Sequence, residues 1–234
     1  MVAQQAPRLP SLYRLRLRAS NCYLVIGDGA VLVDSGLREE GRSILNALER
    51  KGVRPADLNL VLLTHGHLDH AGAACEVAAA TGAPIALHAE DARWVSSGQE
   101  VPAPPITKWA RVISHLLSVG FVKGRIALPL FSTDIVLGDT EFSLRKYGIP
   151  ATVLHTPGHT AGSVSVLLED GRAIVGDLVM NGLPSLRLKP TPPIVAQDLS
   201  KLARSWRLLC DRGATTVYPG HGSPFPSRSI QMKT

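Results

Sequence analysis

The stretch Leu58–Gly82, LNLVLLTHGHLDHAGAACEVAAATG, decides the fold. Its first six residues form an apolar run of strand length broken only by Asn59, and the alanine-rich residues 71–80 favour a helix that stops at Thr81-Gly82. Between them stand Thr64, His65, Gly66, His67, Leu68, Asp69 and His70. The end of a buried strand is a fixed backbone that can present side chains to a ligand. Three imidazoles and a carboxylate within residues 65–70 are too many lone pairs to leave buried and unpaired, and a metal ion satisfies them. Imidazole nitrogen and carboxylate oxygen suit zinc, and also iron or manganese, so the ligand types alone leave the element open.

Upstream, residues 12–17 alternate apolar and basic side chains, the period of a half-buried strand with Arg14, Arg16 and Arg18 on the wet face. Strands at 22–26 and 30–33 flank Gly27-Asp28-Gly29, whose Asp-Gly pair signals a hairpin. Ile44, Leu45 and Leu48 place a helix over 38–51, ahead of the 58–63 strand, and a short strand is expected at 85–87. The pattern changes over 96–130. There the prolines of VPAPPITKW suit a loop and a helix N-terminus, and apolar residues recur at Ile106, Trp109, Val112, Ile113, Leu116 and Leu117, which reads as an inserted amphipathic helix. Strands follow near 134–137, 141–146, 151–154, 163–168 and 172–175, then a helix at 195–210 with Leu199, Leu202, Trp206 and Leu209 at helical spacing, then a strand at 215–218. Strands followed by helices, twice over, imply an α+β fold of two sheets packed face to face with helices outside.

Composition narrows the class. With 234 residues, 45% of them hydrophobic and 19% charged, the chain can bury a sizeable core and lacks the signature of disorder. Arg14, Arg16 and Arg18 interrupt the N-terminal stretch, so no secretory signal is expected, and the apolar runs are far short of a membrane span. Cys22, Cys75 and Cys210 are odd in number, widely spaced and without a CxxC pair. That argues against a disulfide framework and for a reducing, cytoplasmic compartment, with the thiols read as small buried hydrophobes. The net charge of +6 is compatible with an anionic small-molecule substrate but too diffuse to point to nucleic acid.

The later histidines extend the pattern. Thr156-Pro157-Gly158-His159, Val175-Gly176-Asp177 and Pro219-Gly220-His221-Gly222 follow strands in turn. With Thr64 to His70 they resemble the metallo-beta-lactamase superfamily over nearly the whole chain. The resemblance implies a four-layer αββα sandwich forming one domain over 1–234, with a helical insertion at about 96–130. It implies two divalent metal ions, zinc first with iron or manganese as alternatives: one on His65, His67 and His159, a second on Asp69, His70 and His221, and Asp177 bridging them. Such a pair lowers the pKa of a shared water and polarises a carbonyl or phosphoryl oxygen, with Asp69 as the catalytic residue that orients the hydroxide and takes its proton. Asp34, in Val33-Asp34-Ser35-Gly36, resembles the family acid that supports a ligand histidine, with an ordinary strand-end cap as the competing reading. His155, four residues before His159, is the other expected supporting residue, while His88 and His115 read as ordinary histidines.

Branches of the family divide the substrate question. Zinc beta-lactamases replace the bridging carboxylate, which this chain keeps as Asp177. Glyoxalase II is similar in Thr64–His70 and Pro219–Gly222, yet its C-terminal helical domain is missing from the twelve residues after Gly222. The expectation is therefore a glyoxalase II-like or lactonase-like hydrolase of an ester, thioester or lactone carbonyl. Phosphodiester or phosphotriester hydrolysis on the same two ions, or persulfide oxidation on a single iron, are the alternatives. Trp109 in the inserted helix, with Arg187 and Lys189 in the loop after Asp177, are the expected substrate contacts, and a homodimer is compatible with the sequence.

Overall fold

The computed structural model describes residues 9–108, 110–112, 130–182 and 187–230. The chain opens with β1 (Ser11–Arg16), β2 (Asn21–Ile26) and β3 (Ala30–Val33), a meander whose Asp28-Gly29 turn joins the second and third strands. Helix α1 (Gly41–Arg50) crosses to β4 (Leu58–Leu62), and α2 (Leu68–Ala71) and α3 (Ala74–Thr81) lead to β5 (Ile85–His88). Helix α4 (Ala89–Val95) follows at once, and β6 (Ile135–Leu137) closes the first sheet. Its order is β1-β2-β3-β4-β5-β6, parallel from β3 onward.

The second sheet collects β7 (Phe142–Ser143), β8 (Ala151–His155), β9 (Val164–Leu168), β10 (Arg172–Gly176), β13 (Thr216–Pro219) and β14 (Phe225–Pro226), in the order β14-β13-β10-β9-β8-β7. A two-stranded ribbon, β11 (Met180–Gly182) and β12 (Arg187–Thr191), stands apart, and α5 (Leu199–Asp211) precedes β13.

Strand alternation builds the layers. Val31 and Val33 point between the sheets with Tyr23, Leu60, Leu62, Val153, Val166 and Ile174, whereas Ala30 and Leu32 face the other way onto Ile44 and Leu48 of α1 and Val77 of α3. The outer face of the second sheet, Ala173, Val175 and Val217, packs on Leu202, Trp206 and Leu209 of α5. Those three recur at i, i+4 and i+7, the stripe that one helix face presents, and Asp198 caps the helix by accepting from Lys201 N–H at 2.9 Å. The result is the expected α/β/β/α sandwich. Among the described residues no helix is long and apolar enough to cross a membrane.

Several expectations are corrected. The helix expected over 71–80 is two, α2 and α3, with the break at Gly72-Ala73 after the histidine string. Helix α4, the ribbon β11–β12 and β14 carry too few periodic residues to show in sequence, and the strand expected at 141–146 shortens to β7 before a 3₁₀ turn at Arg145–Tyr147. Arg187 and Lys189 lie on a strand of the ribbon, not in a loop. Of the three thiols only Cys22 is buried; Cys75 is half-buried and Cys210 exposed. Trp109, Ile113, His115, Leu116 and Leu117 of the inserted segment lie outside the described residues, of which 110–112 are helical.

Candidate metal centre

Chain direction puts the polar residues at one rim. Strands β3, β4 and β5 run parallel in the first sheet; in the second, β10 and β13 are parallel to each other and antiparallel to β9, which makes β8 run with them. Asp34 follows β3, His65 to His70 follow β4, His159 follows β8, Asp177 follows β10 and His221 follows β13. All seven residues of the expected ligand set therefore leave the carboxyl ends of their strands, where the two sheets share an edge. Their side chains meet there. His65, His67 and His159 form one group, Asp69, His70 and His221 another, and His65, His70 and Asp177 a third, with the candidate ligand atoms of each within 4.8 Å of one another.

The ring orientations decide what these atoms can do. His67 Nε2 donates to the Val101 carbonyl at 2.9 Å, His159 Nδ1 to Val195 O at 2.8 Å and His221 Nδ1 to Ala19 O at 2.8 Å. His70 Nδ1 donates to Asp34 Oδ2 at 2.9 Å, and His65 Nδ1 to Thr64 Oγ1 at 3.0 Å, whose own hydroxyl donates to Asp34. Each imidazole thus commits its outer nitrogen to a fixed acceptor and turns its other nitrogen inward. His67 Nδ1 and His159 Nε2 lie 2.9 Å apart, and His70 Nε2 lies 3.5 Å from His221 Nε2. The lone pairs of His67 and His159, facing each other at 2.9 Å, repel unless a cation stands between them. Two buried atoms have no hydrogen-bond partner among the described residues, His65 Nε2 and Asp177 Oδ1, and both belong to this centre. Buried polar atoms are rarely left so, and a metal ion is the partner that fits nitrogen and carboxylate donors.

Asp177 sits between the groups: Oδ2 is 3.7 Å from His159 Nε2 and 3.3 Å from His221 Nε2, and Oδ1 is 3.4 Å from His70 Nε2. A side chain at Gly220 would run into Asp177 Oδ1 at 2.4 Å, so the Pro-Gly-His turn needs glycine there to let His221 come close. Burial pushes His159 down to about 3, and with the neighbouring rings it holds His65 well below the usual histidine range. At His221 burial acts the same way but is outweighed by Asp177 and Asp69, which raise it to about 10; His70 rises for the same reason. Asp177 and Asp69 are held below the carboxylate range by His70 and His221 despite their desolvation. Asp69 is the one member open to solvent, its side chain 26% exposed, 3.3 Å from His221 Nε2.

The supporting residues are partly as expected. Asp34 sits at φ 63, a left-handed conformation costly for a residue with a side chain, and from there its carboxylate accepts from Thr64 N–H, the Thr64 hydroxyl and His70. His155 does not join the set: it donates to Ala161 O, stacks on His88 and faces Asp139. Asp91, unmarked in the sequence, is fully buried and accepts from Gly66 N–H at 2.9 Å, Gly162 N–H at 3.0 Å and the Thr160 hydroxyl at 2.8 Å. It ties the backbone beside His65 and His67 to that beside His159. The Val101, Val195 and Ala19 carbonyls carry no sequence signal at all, since any residue supplies one. Arg14, read as a wet-face residue, donates to Gly222 O, and Asn21 and Tyr23 donate to Pro219 O, which fixes the His221 turn.

The family model for the metallo-beta-lactamase superfamily matches residues 15–221. The chain belongs to that superfamily. A probable metallo-hydrolase of Methanocaldococcus jannaschii is 28% identical over 205 residues, covering 87% of this chain and 88% of the relative. An uncharacterized protein of Mycobacterium tuberculosis is 31% identical over 216 residues, 88% of each chain. Among solved structures, the BLEG-1 B3 metallo-beta-lactamase superposes with a TM-score of 0.69 at 23% identity, covering 94% of this chain and 95% of its own. A second, solved in a di-iron-bound form, gives a TM-score of 0.63 at 24% identity, covering 94% and 96%. At these identities the structures establish the shared sandwich and nothing about substrate. As a superfamily member with relatives named metallo-hydrolases, the chain is read as a hydrolase with residues that can hold metal.

Proposed function

We propose that the chain holds two divalent metal ions and hydrolyses an ester, thioester or lactone carbonyl in a small anionic molecule of the cytoplasm. The observation that carries this reading is the inward convergence of five imidazoles, each locked by its outer nitrogen, around Asp177 and the unpartnered His65 Nε2. His65, His67 and His159 would hold one ion, Asp69, His70 and His221 the other, with Asp177 shared. Ions in these places supply Lewis acidity, which makes a water nucleophilic at neutral pH and polarises the substrate oxygen.

The protein's own part is orientation and proton handling. Asp69, the solvent-facing carboxylate, is placed to accept the proton that the attacking water gives up, and no Ser or Cys nucleophile is required. Asp34 keeps His70 in the tautomer that presents Nε2 inward. The ribbon is rooted at the centre through Asn181 N–H, which donates to His221 O at 2.9 Å, so exposed Lys189 on β12 is available to an anionic substrate group, with Arg187 on the same strand. Zinc suits the donors, and the di-iron-bound relative of the same fold makes iron the competing occupant.

The test is elemental analysis of protein purified without added metal, run beside turnover of a small ester, a thioester, a lactone and a bis-aryl phosphate. About two ions per chain with carbonyl turnover is the expected result. Turnover of the phosphate alone, or a single iron with oxygen uptake on a persulfide, would overturn the carbonyl assignment.

A further inference from the structure

A second cluster of ligand-type atoms lies on the same rim and shares no residue with the first. His88 ends β5 in the first sheet, His155 ends β8 in the second, and Asp139 lies in the turn after β6, the strand whose Leu137 pairs with His88. The two imidazoles stack with centroids 4.1 Å apart and planes 12° from parallel. His88 Nε2 and His155 Nδ1 both stand 3.2 Å from the same oxygen, Asp139 Oδ1. Their ligand atoms lie within 4.8 Å of one another.

The tautomer of His155 shows why this cluster is unfinished. Its Nε2–H donates to Ala161 O at 2.8 Å, which leaves Nδ1 as the atom that faces the Asp139 carboxylate. A cation can take up the Nδ1 lone pair and the Asp139 oxygen together, although the two rings stack here whereas those of His65, His67 and His159 meet edge to face. Two ligand atoms about 2.0–2.1 Å from one tetrahedral ion are about 3.3 Å apart, close to the spacing here. We propose that His88, Asp139 and His155 bind a divalent late transition-metal ion, zinc in the first instance, that pins the two sheets and the β6–β7 turn together at this rim.

The donor set is complete once the rings leave their near-parallel stack, since both in-plane lone pairs must point at one ion. His155 offers Nδ1, because its Nε2–H is taken up by Ala161 O. His88 Nδ1 now accepts from Glu90 N–H at a long 3.2 Å, so its neutral proton is on Nε2. Capture through Nε2 moves that proton to Nδ1 and gives up the cap on Glu90 N–H, with no net proton released. Asp139 is 82% exposed on its side chain and follows Gly138, around which a side chain would meet nothing within 4 Å, so the turn has room to close on the ion and water can fill the fourth position. Two imidazoles and one carboxylate suit zinc, nickel or copper over magnesium or calcium.

The experiment uses the whole chain, stripped of metal and then dialysed against graded Zn²⁺, with bound zinc counted by elemental analysis in the wild type, Asp139→Ala and His155→Ala. The expected result is one zinc more per wild-type chain than per Asp139→Ala chain at saturation, with a weaker binding step missing from the variant and the far-ultraviolet circular dichroism unchanged. Because Asp139 is exposed and remote in sequence from the main ligands, that variant decides the matter if His155→Ala also disturbs the nearby His159 turn. Equal zinc counts in the wild type and Asp139→Ala overturn the proposal. The readout is a difference between chains, so it stands or falls separately from what the main centre hydrolyses.

Discussion

The two halves of the main centre are built from similar parts and behave differently. On one side, His65, His67 and His159 surround each other with no carboxylate of their own, and burial drives His159 down to about 3 and His65 well below the ordinary range. On the other, Asp69 and Asp177 stand against His70 and His221, and their charge overcomes burial to raise His221 to about 10. A buried cluster of neutral rings keeps its lone pairs available, while imidazole and carboxylate buried together settle as ion pairs. Asp177 belongs to both, through Oδ2 at 3.7 Å from His159 and 3.3 Å from His221. The difference teaches that the halves are separable in their chemistry and joined through one side chain.

The strongest way to break that picture is to remove the joint. Asp177→Ala is expected to cost both halves metal and to lower turnover by about 10³-fold or more, equivalent to about 4 kcal/mol of barrier. Metal content and kcat/KM on a carbonyl substrate check it, and an active variant with full metal would show that Asp177 is not shared. Next in size, His159→Ala and His221→Ala each remove a ligand from one half only. Each variant is expected to keep about one ion, read by elemental analysis, and loss of both ions from either would mean that the halves are a single unit.

The supporting carboxylates sharpen the contrast, because Asp34 touches a ligand only in the carboxylate half and reaches His65 of the other through Thr64. Asp34 holds His70, and Asp91 holds the backbone around His65, His67 and His159. Asp34→Ala is expected to weaken metal binding about 10- to 100-fold, mainly in the carboxylate half. Asp91→Ala leaves three buried donors without an acceptor and is expected to cost about 2–4 kcal/mol of stability, seen as a lower urea midpoint, with its metal defect in the three-imidazole half. Equal defects in both halves from either variant would dissolve the distinction.

Much of the centre was legible because ligand chemistry needs particular residue types. The His-x-His-x-Asp-His string after an apolar run, Pro157-Gly158-His159, Gly176-Asp177 and Pro219-Gly220-His221 all show as letters, and the strand order then brings them to one rim. Asp34 showed for the same reason. Asp91 did not, because a lone acid in His88-Ala89-Glu90-Asp91 looks like any first-turn helix acid until the turns of both sheets close on it. The carbonyls of Val101, Val195 and Ala19 are backbone groups, invisible in any sequence. In the fold, long periodic segments such as α1 and α5 were readable, whereas α4 and the ribbon are too short for a period to register. His155 was misplaced because nearness to His159 in sequence says nothing about which side of the turn it faces.

The smallest expected effect concerns pH in the metal-stripped chain. His159, depressed to about 3 from 6.5, keeps the folded state from taking a proton that the unfolded chain takes, so its contribution to stability is lost as pH falls from about 6.5 toward 3. His221, raised to about 10, contributes stability that is full below about 6.5 and lost as pH rises toward 10. The two halves therefore act in opposite directions, and the melting temperature of stripped protein is expected to peak near pH 6.5. His159→Ala should flatten the acid limb and His221→Ala the alkaline one; a curve unchanged by either would contradict the assignment.

The central claim is that two ions occupy two unlike halves joined at Asp177. Anomalous X-ray diffraction from crystals grown with zinc tests it most directly. At the main centre the account predicts two strong peaks, separate from any at His88, Asp139 and His155: one among His65, His67 and His159 and one among Asp69, His70 and His221, each in contact with the Asp177 carboxylate. A single peak at the main centre, or two peaks there of which neither touches Asp177, would contradict it.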